Sequence, residues 1–149
     1  MKYIVCATRG GAGSRAVQER AIRYALEREI KLVFLFVIDV STLDDADEKL
    51  RSAVLAEMTW LGQALLKIAH QRAQDAGIDS EIVIREGQVR DEICRFLDER
   101  SAEMLLLGAP RGTTATIFGD DIVEQFAAFV KEATGIPVEI VRPQQASNA

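Results

Sequence analysis

Short, wholly apolar runs alternate with longer segments in which apolar residues return every three or four positions. The first run, residues 2–7, carries Ile4-Val5-Cys6-Ala7. The second, residues 31–38, is apolar from Leu32 to Ile38. Runs centred on Ile82-Val83-Ile84 (79–85), Met104-Leu105-Leu106-Leu107 (103–108) and Val138–Val141 (136–141) follow. The runs around Leu32–Ile38 and Met104–Leu107 lack polar alternation, which predicts strands covered on both faces. Between them, helical periodicity predicts helices over residues 14–28, 48–75, 88–100 and 120–134. Val17, Ala21, Tyr24 and Ala25 form the inward stripe of the first. Leu50, Val54, Met58, Leu61, Leu65 and Ile68 form that of the second, with Trp60 covering its edge. Val89, Ile93, Phe96 and Leu97 serve the third, and Ile122, Val123, Phe126, Val130 and Ala133 the fourth.

Strands alternating with helices predict an α/β doubly wound five-stranded parallel sheet, with right-handed crossovers and helices on both faces. No repeat or linker divides residues 1–143, and residues 144–149 read as a flexible tail after Pro143. Two glycine-bearing loops leave strand ends. Thr8-Arg9-Gly10-Gly11-Ala12-Gly13-Ser14 follows the first strand, and Gly108-Ala109-Pro110-Arg111-Gly112 follows the fourth and runs on to Gly119. If these strands are neighbours, their loops wall one crevice at the carboxyl edge of the sheet, where open α/β sheets bind ligands.

Composition narrows the function. The chain has 149 residues, 48% hydrophobic and 28% charged, with a net charge of -5. The basic residues are interspersed with acidic ones, so a nucleic-acid footprint is not expected. No run approaches the roughly 20 apolar residues of a membrane span, and Met1 leads directly into a strand. Cys6 and Cys94 fall inside apolar patterns and read as small buried hydrophobes, in keeping with a reducing cytoplasmic compartment. His70 has no second histidine to share a metal and reads as a surface or helix-end residue. No catalytic triad or metal-protease pattern is present, so no catalytic or metal residue is assigned.

The glycine-rich turn has a physical case for an anion. Glycines admit backbone amides close to a phosphate, and the helix capped by Ser14 points its positive end into the crevice. Arg9 and Arg111 are candidate guanidinium donors from opposite walls. Asp39, directly after the second strand, overlooks the same space and is placed to accept from a ribose or base. The acidic group of Asp39, Asp44, Asp45 and Asp47 reads as a solvated loop, with a phosphate-bound divalent ion as the alternative.

Taken together, Ile4-Val5, Phe36-Val37-Ile38-Asp39, Arg85-Glu86-Gly87, the Gly108-to-Gly119 loop and Thr134-Gly135-Ile136-Pro137-Val138 resemble the universal stress protein family, the UspA-like domains. The resemblance covers residues 2–142. It implies strand order 3-2-1-4-5, dimerisation through the last strand, and in many members binding of ATP or another adenine nucleotide. Nucleotide-binding members carry G-x2-G-x9-G-(S/T) after the fourth strand and commonly an aspartate at the end of the first. Here the glycine positions map to Gly108, to Arg111 with Gly112 beside it, and to Gly119. Asp120 stands at the hydroxyl position, Thr8 at the aspartate position, and Val37 at the adenine-side backbone position. The motif is therefore degenerate. Asp120 places negative charge beside the expected phosphate, a sign that a bridging metal or an arginine reverses.

The expected function is a cytoplasmic, non-catalytic stress-response or regulatory domain. Its crevice residues Thr8, Arg9, Gly10, Gly11, Gly13, Ser14, Val37, Asp39, Gly108, Arg111, Gly112, Gly119 and Asp120 are the candidate nucleotide- or anion-binding set. The cofactor is left open among ATP, AMP or another nucleotide, with or without Mg²⁺. The alternatives are an ATP-binding protein with slow hydrolysis, and a protein-interaction module without a small ligand that serves an unidentified regulatory partner. The strongly apolar last strand would be an exposed edge in a monomer. A homodimer through Pro137, Val138, Glu139, Ile140 and Val141 is expected.

Overall fold

A computed structural model describes residues 2–8, 12–43, 47–108 and 122–142. Its strands are β1 (Tyr3–Ala7), β2 (Lys31–Asp39), β3 (Ser80–Gly87), β4 (Ala102–Gly108) and β5 (Val138–Val141). Its helices are α1 (Ala12–Arg28), α2 (Glu48–Asp75), α3 (Val89–Arg100) and α4 (Ile122–Thr134), with a short 3-10 turn at Ser41–Leu43. All strand pairs are parallel, and the order is β3-β2-β1-β4-β5.

Alternation within the strands builds the two layers. Ile4 and Cys6 of β1 and Leu32, Phe34, Phe36 and Ile38 of β2 face α1 and α2. Val5 and Ala7 of β1 and Val33 and Leu35 of β2 face α3 and α4. The inward stripe of α1 is as expected at Val17, Ala21 and Ala25, with Tyr24 half-buried. In α4, Ala127 takes the buried place expected for Ala133, which is exposed. No helix among the described residues is long and apolar enough to cross a membrane.

Element boundaries differ from the sequence reading in informative places. Helix α1 begins at Ala12, so Ser14 lies inside the first turn and is not the N-cap. Alanine is the best helix former and extends the helix backwards. Strand β3 continues through Glu86-Gly87 because β2 offers partners up to Asp39. Strand β5 starts at Val138, yet the ladder reaches Pro137, whose carbonyl accepts from the Leu105 amide at 3.0 Å.

The largest correction concerns α2. Its buried residues are Gly62, Leu66, Ala69 and Ala73, with Leu55, Met58 and Leu65 partly buried beside them. Leu50, Leu61 and Ile68 of the expected stripe are exposed, and Trp60 is 67% exposed rather than covering an edge. Small residues allow α2 to lie close on the sheet. An added Cβ at Gly62 would stand 2.6 Å from the Phe36 ring. The helix is thus apolar around more than the face it buries. Its N-terminus is capped by Asp47, whose side chain accepts from the Leu50 amide at 2.8 Å.

Candidate functional site

The β1–β4 ladder sets Ala7 beside Leu107, with β2 on the other side of β1 pairing Ala7 with Leu35. Strands β1 and β4 therefore end together, while β2 runs on past them to Asp39. At their carboxyl ends lies a cavity of about 370 Å³, within the usual range for small-ligand sites of about 300–1,000 Å³. Ala7, Thr8, Leu35 to Val37, Asp39, Leu107 and Gly108 line its floor. Met58 of α2, Val89 and Ile93 of α3, and Val123 and Phe126 of α4 form its walls.

The lining is mainly apolar. Among the described lining residues the single charge is the Asp39 carboxylate. One of its oxygens is already engaged, accepting from the Ser41 amide at 2.9 Å and the Ser41 hydroxyl at 2.6 Å. This Asx-type turn fixes the carboxylate at the end of β2.

Thr8 is the other polar group. Its amide donates to the Leu35 carbonyl at 2.8 Å, which extends the β1–β2 ladder by one residue. The side chain is buried, and its hydroxyl has no hydrogen-bond partner among the described residues. Burial pushes the neighbouring Cys6 thiol up to about 12, and the nearby Thr8 hydroxyl counters this only in part. Its geometry with the thiol falls short of a hydrogen bond. A buried hydroxyl left without a partner costs about 1–3 kcal/mol.

Other expected site residues are brought to the same edge. Val37 and Gly108 line the cavity, and Gly13 and Ser14 lie in the first turn of α1. For Ser14 the role shifts from a side-chain cap to a backbone amide at a helix N-terminus, the role already expected of Gly13. Arg9, Gly10, Gly11, Arg111, Gly112, Gly119 and Asp120 lie outside the described residues, as do Asp44 and Asp45. No metal-ligating cluster occurs among the described residues.

The sequence reading missed the cavity walls. Val89, Ile93, Val123 and Phe126 were assigned only to helix cores. They sit in the first two turns of helices that start at the carboxyl edge, so their side chains reach both the core and the crevice. A missed polar residue supports this wall. Glu92 is buried, lies 3.7 Å from Arg85, and pairs with Arg95. Gly87, at φ +148°, lets the chain turn from β3 into α3 hard against it, since a Cβ there would meet Glu92 Cγ at 2.8 Å.

His70 is neither free nor at a helix end: its Nδ1 lies 2.7 Å from Ser80 Oγ and ties α2 to β3. Cys6 is buried as expected, whereas Cys94 is only partly buried. On β5, the Tyr24 hydroxyl donates to Glu139 at 2.6 Å, and Arg20 lies 3.2 Å from the same carboxylate. Val138 and Ile140 pack towards α3 and α4. The expected interface residues thus lie on a sheet-edge strand anchored to α1.

A doubly wound sheet with a mainly apolar crevice at its switch point defines a small-ligand-binding α/β domain. The model of the universal stress protein family matches residues 1–142, and the chain belongs to that family. No curated protein matches the sequence significantly. Solved structures confirm the fold. The universal stress protein UspA from Lactobacillus plantarum superposes with a TM-score of 0.76 at 14% identity, covering 95% of this chain and 97% of that one. A universal stress protein solved in complex with cAMP gives 0.66 at 24%, covering 96% and 98%. An Arabidopsis thaliana family member with AMP bound gives 0.63 at 18%, covering 99% and 95%.

Proposed function

We propose that this chain is a regulatory stress-response domain that binds an adenine nucleotide in the crevice after β1 and β4, and acts by occupancy and not by turnover. The observation that carries this reading is the mainly apolar cavity of about 370 Å³ at the carboxyl ends of β1 and β4, with the Asp39 carboxylate on its rim. A flat base suits this lining, its faces burying against Phe126, Val89 and Met58. The phosphate end then lies towards the first turn of α1, where helix amides are open. Relatives solved with cAMP and AMP support the ligand class.

The crevice favours a ligand whose base end is neutral. Asp39 supplies negative charge with one oxygen already committed, so it suits a ribose hydroxyl better than a phosphate. Calorimetry with AMP, cAMP and ATP, each with and without Mg²⁺, tests the proposal. Saturable heat for at least one nucleotide supports it, and no heat at millimolar ligand overturns it. We also assign the chain to the cytoplasm, and a homodimer to the β5 edge. Leu105 donates to Pro137, so by parallel alternation Glu139 also turns its backbone to β4. The backbone groups of Val138 and Ile140 then point outward, ready for a second β5.

A further inference from the structure

Strand β2 outruns its neighbour β1, and its last residue carries the single charge of the described lining. The Thr8 amide makes the last bond of the β1–β2 ladder, to the Leu35 carbonyl. From Phe36 to Asp39 the strand is paired on the β3 side alone. Alternation puts Leu35, Val37 and Asp39 on one face, the face that Val89 and Ile93 of α3 wall. On β3 the residue beside Asp39 is Gly87, which has no side chain to cover the carboxylate. One carboxylate oxygen holds both bonds from Ser41, at 2.9 and 2.6 Å. The other has no partner among the described residues, and no described lining residue brings a positive charge to it.

An ionised carboxylate only accepts hydrogen bonds. A ligand must therefore bring an O–H or N–H to this place. A phosphate brings neither, and its charge repels the carboxylate. An adenine nucleotide has two kinds of donor, the amino group of the base and the hydroxyls of the ribose. The amino group travels with the base, whose faces bury against Val89, Met58 and Phe126. Asp39 is exposed and stands at the outer end of β2, level with the sugar that follows the base. In dinucleotide-binding doubly wound domains, an acidic side chain beyond the glycine-rich turn hydrogen-bonds the ribose 2′-hydroxyl. We propose that Asp39 reads the 2′-hydroxyl of the bound nucleotide, so that the crevice selects ribonucleotides against their 2′-deoxy counterparts. The inference rests on the adenine-nucleotide reading of the crevice and adds its sugar specificity. The selection is moderate in size, because an exposed carboxylate that loses the hydroxyl turns to water and is not stranded in a dry interior.

Calorimetry on the full-length protein compares AMP with dAMP, and ATP with dATP. Within a pair that binds, the 2′-deoxy member is expected to be weaker by about tenfold, the loss of one hydrogen bond to a charged acceptor. Asp39→Ala is expected to close that gap by lowering the affinity of the ribonucleotide to the level of the deoxynucleotide. A merely structural role for Asp39 would weaken both members alike and keep their ratio. Equal affinities within each pair in the unaltered protein overturn the inference and leave the nucleotide reading standing. So does a gap that survives Asp39→Ala. No heat from any of these nucleotides at millimolar concentration overturns the reading of the crevice itself, and the inference with it.

Discussion

Ala7 and Leu107 stand side by side on adjacent parallel strands. Their neighbours Thr8 and Gly108 therefore open into the same space, and both line one cavity. The pairing brings together residues a hundred positions apart and makes a single site of two chain turns. Strand β2 adds Val37 and Asp39, while the first turns of α3 and α4 add apolar walls. The site is thus a property of strand order before it is a property of any side chain.

Thr8→Val should raise stability and leave binding as it is. Valine keeps the shape of threonine and removes a hydroxyl that has no partner among the described residues. Thermal or denaturant unfolding of the ligand-free protein should show a gain of about 1 kcal/mol. Nucleotide affinity should stay unchanged, because the hydroxyl has no surface open to the cavity. A variant that loses stability without ligand would show that the hydroxyl is already satisfied.

Gly62→Ala should damage both the fold and the crevice. A methyl there meets the Phe36 ring at 2.6 Å, and Phe36 also lines the cavity. Alanine improves helix propensity by about 1 kcal/mol, while overpacking of this kind costs about 1–3 kcal/mol. A net loss of stability is expected in chemical denaturation, with weakened ligand binding as the ring is displaced. An unchanged affinity would separate α2 from the site.

Much of this architecture is legible in the sequence. The doubly apolar runs at Leu32–Ile38 and Leu105–Leu107 announce central strands, since both of their faces must be covered. The strand order itself came from the family resemblance. The crevice floor could be placed because Thr8 and Gly108 directly follow two such runs. The walls could not, because Val89 and Phe126 carry the same helical periodicity whether they face a core or a cavity. Helix α2 misled for a related reason. Periodicity reveals that a face is apolar, but not which of two apolar faces meets the sheet. Packing decided that, through the small residues Gly62, Ala69 and Ala73. Ser14 reads as a cap from its residue type, yet Ala12 starts the helix earlier.

The two thiols should differ sharply. Cys6 is fully buried, and burial pushes its thiol from 9.0 up to about 12. Cys94 is partly buried and also raised, first by burial and then by Asp98 and Asp91. A neutral-pH thiol reagent should therefore label Cys94 slowly, and Cys6 only on unfolding. The Cys6 contribution to stability is fully present below pH 9.0. Above that, the unfolded thiol ionises first, and stability should fall by about 1.4 kcal/mol per pH unit until the folded thiol titrates. Cys6→Ala, compared by denaturation at neutral and alkaline pH, should flatten this slope. An unaltered slope would remove Cys6 as its source.

Ile140→Pro should separate the β5 edge from the rest of the molecule. Its amide is assigned to the outward side of β5, so its loss spares the β4–β5 ladder. Light scattering should then give the mass of one chain, against twice that mass when Ile140 is retained. Equal masses would contradict pairing through β5.

The most direct measurement is a methyl NMR titration of the intact protein with AMP. Resonances of Val89, Ile93, Leu107 and Val123, around the cavity, should shift together and saturate. Those of Ile22 and Leu66, in the opposite layer, should stay in place. Shifts confined to that opposite layer, or no shifts at millimolar AMP, cAMP and ATP, would contradict a nucleotide site between the ends of β1 and β4.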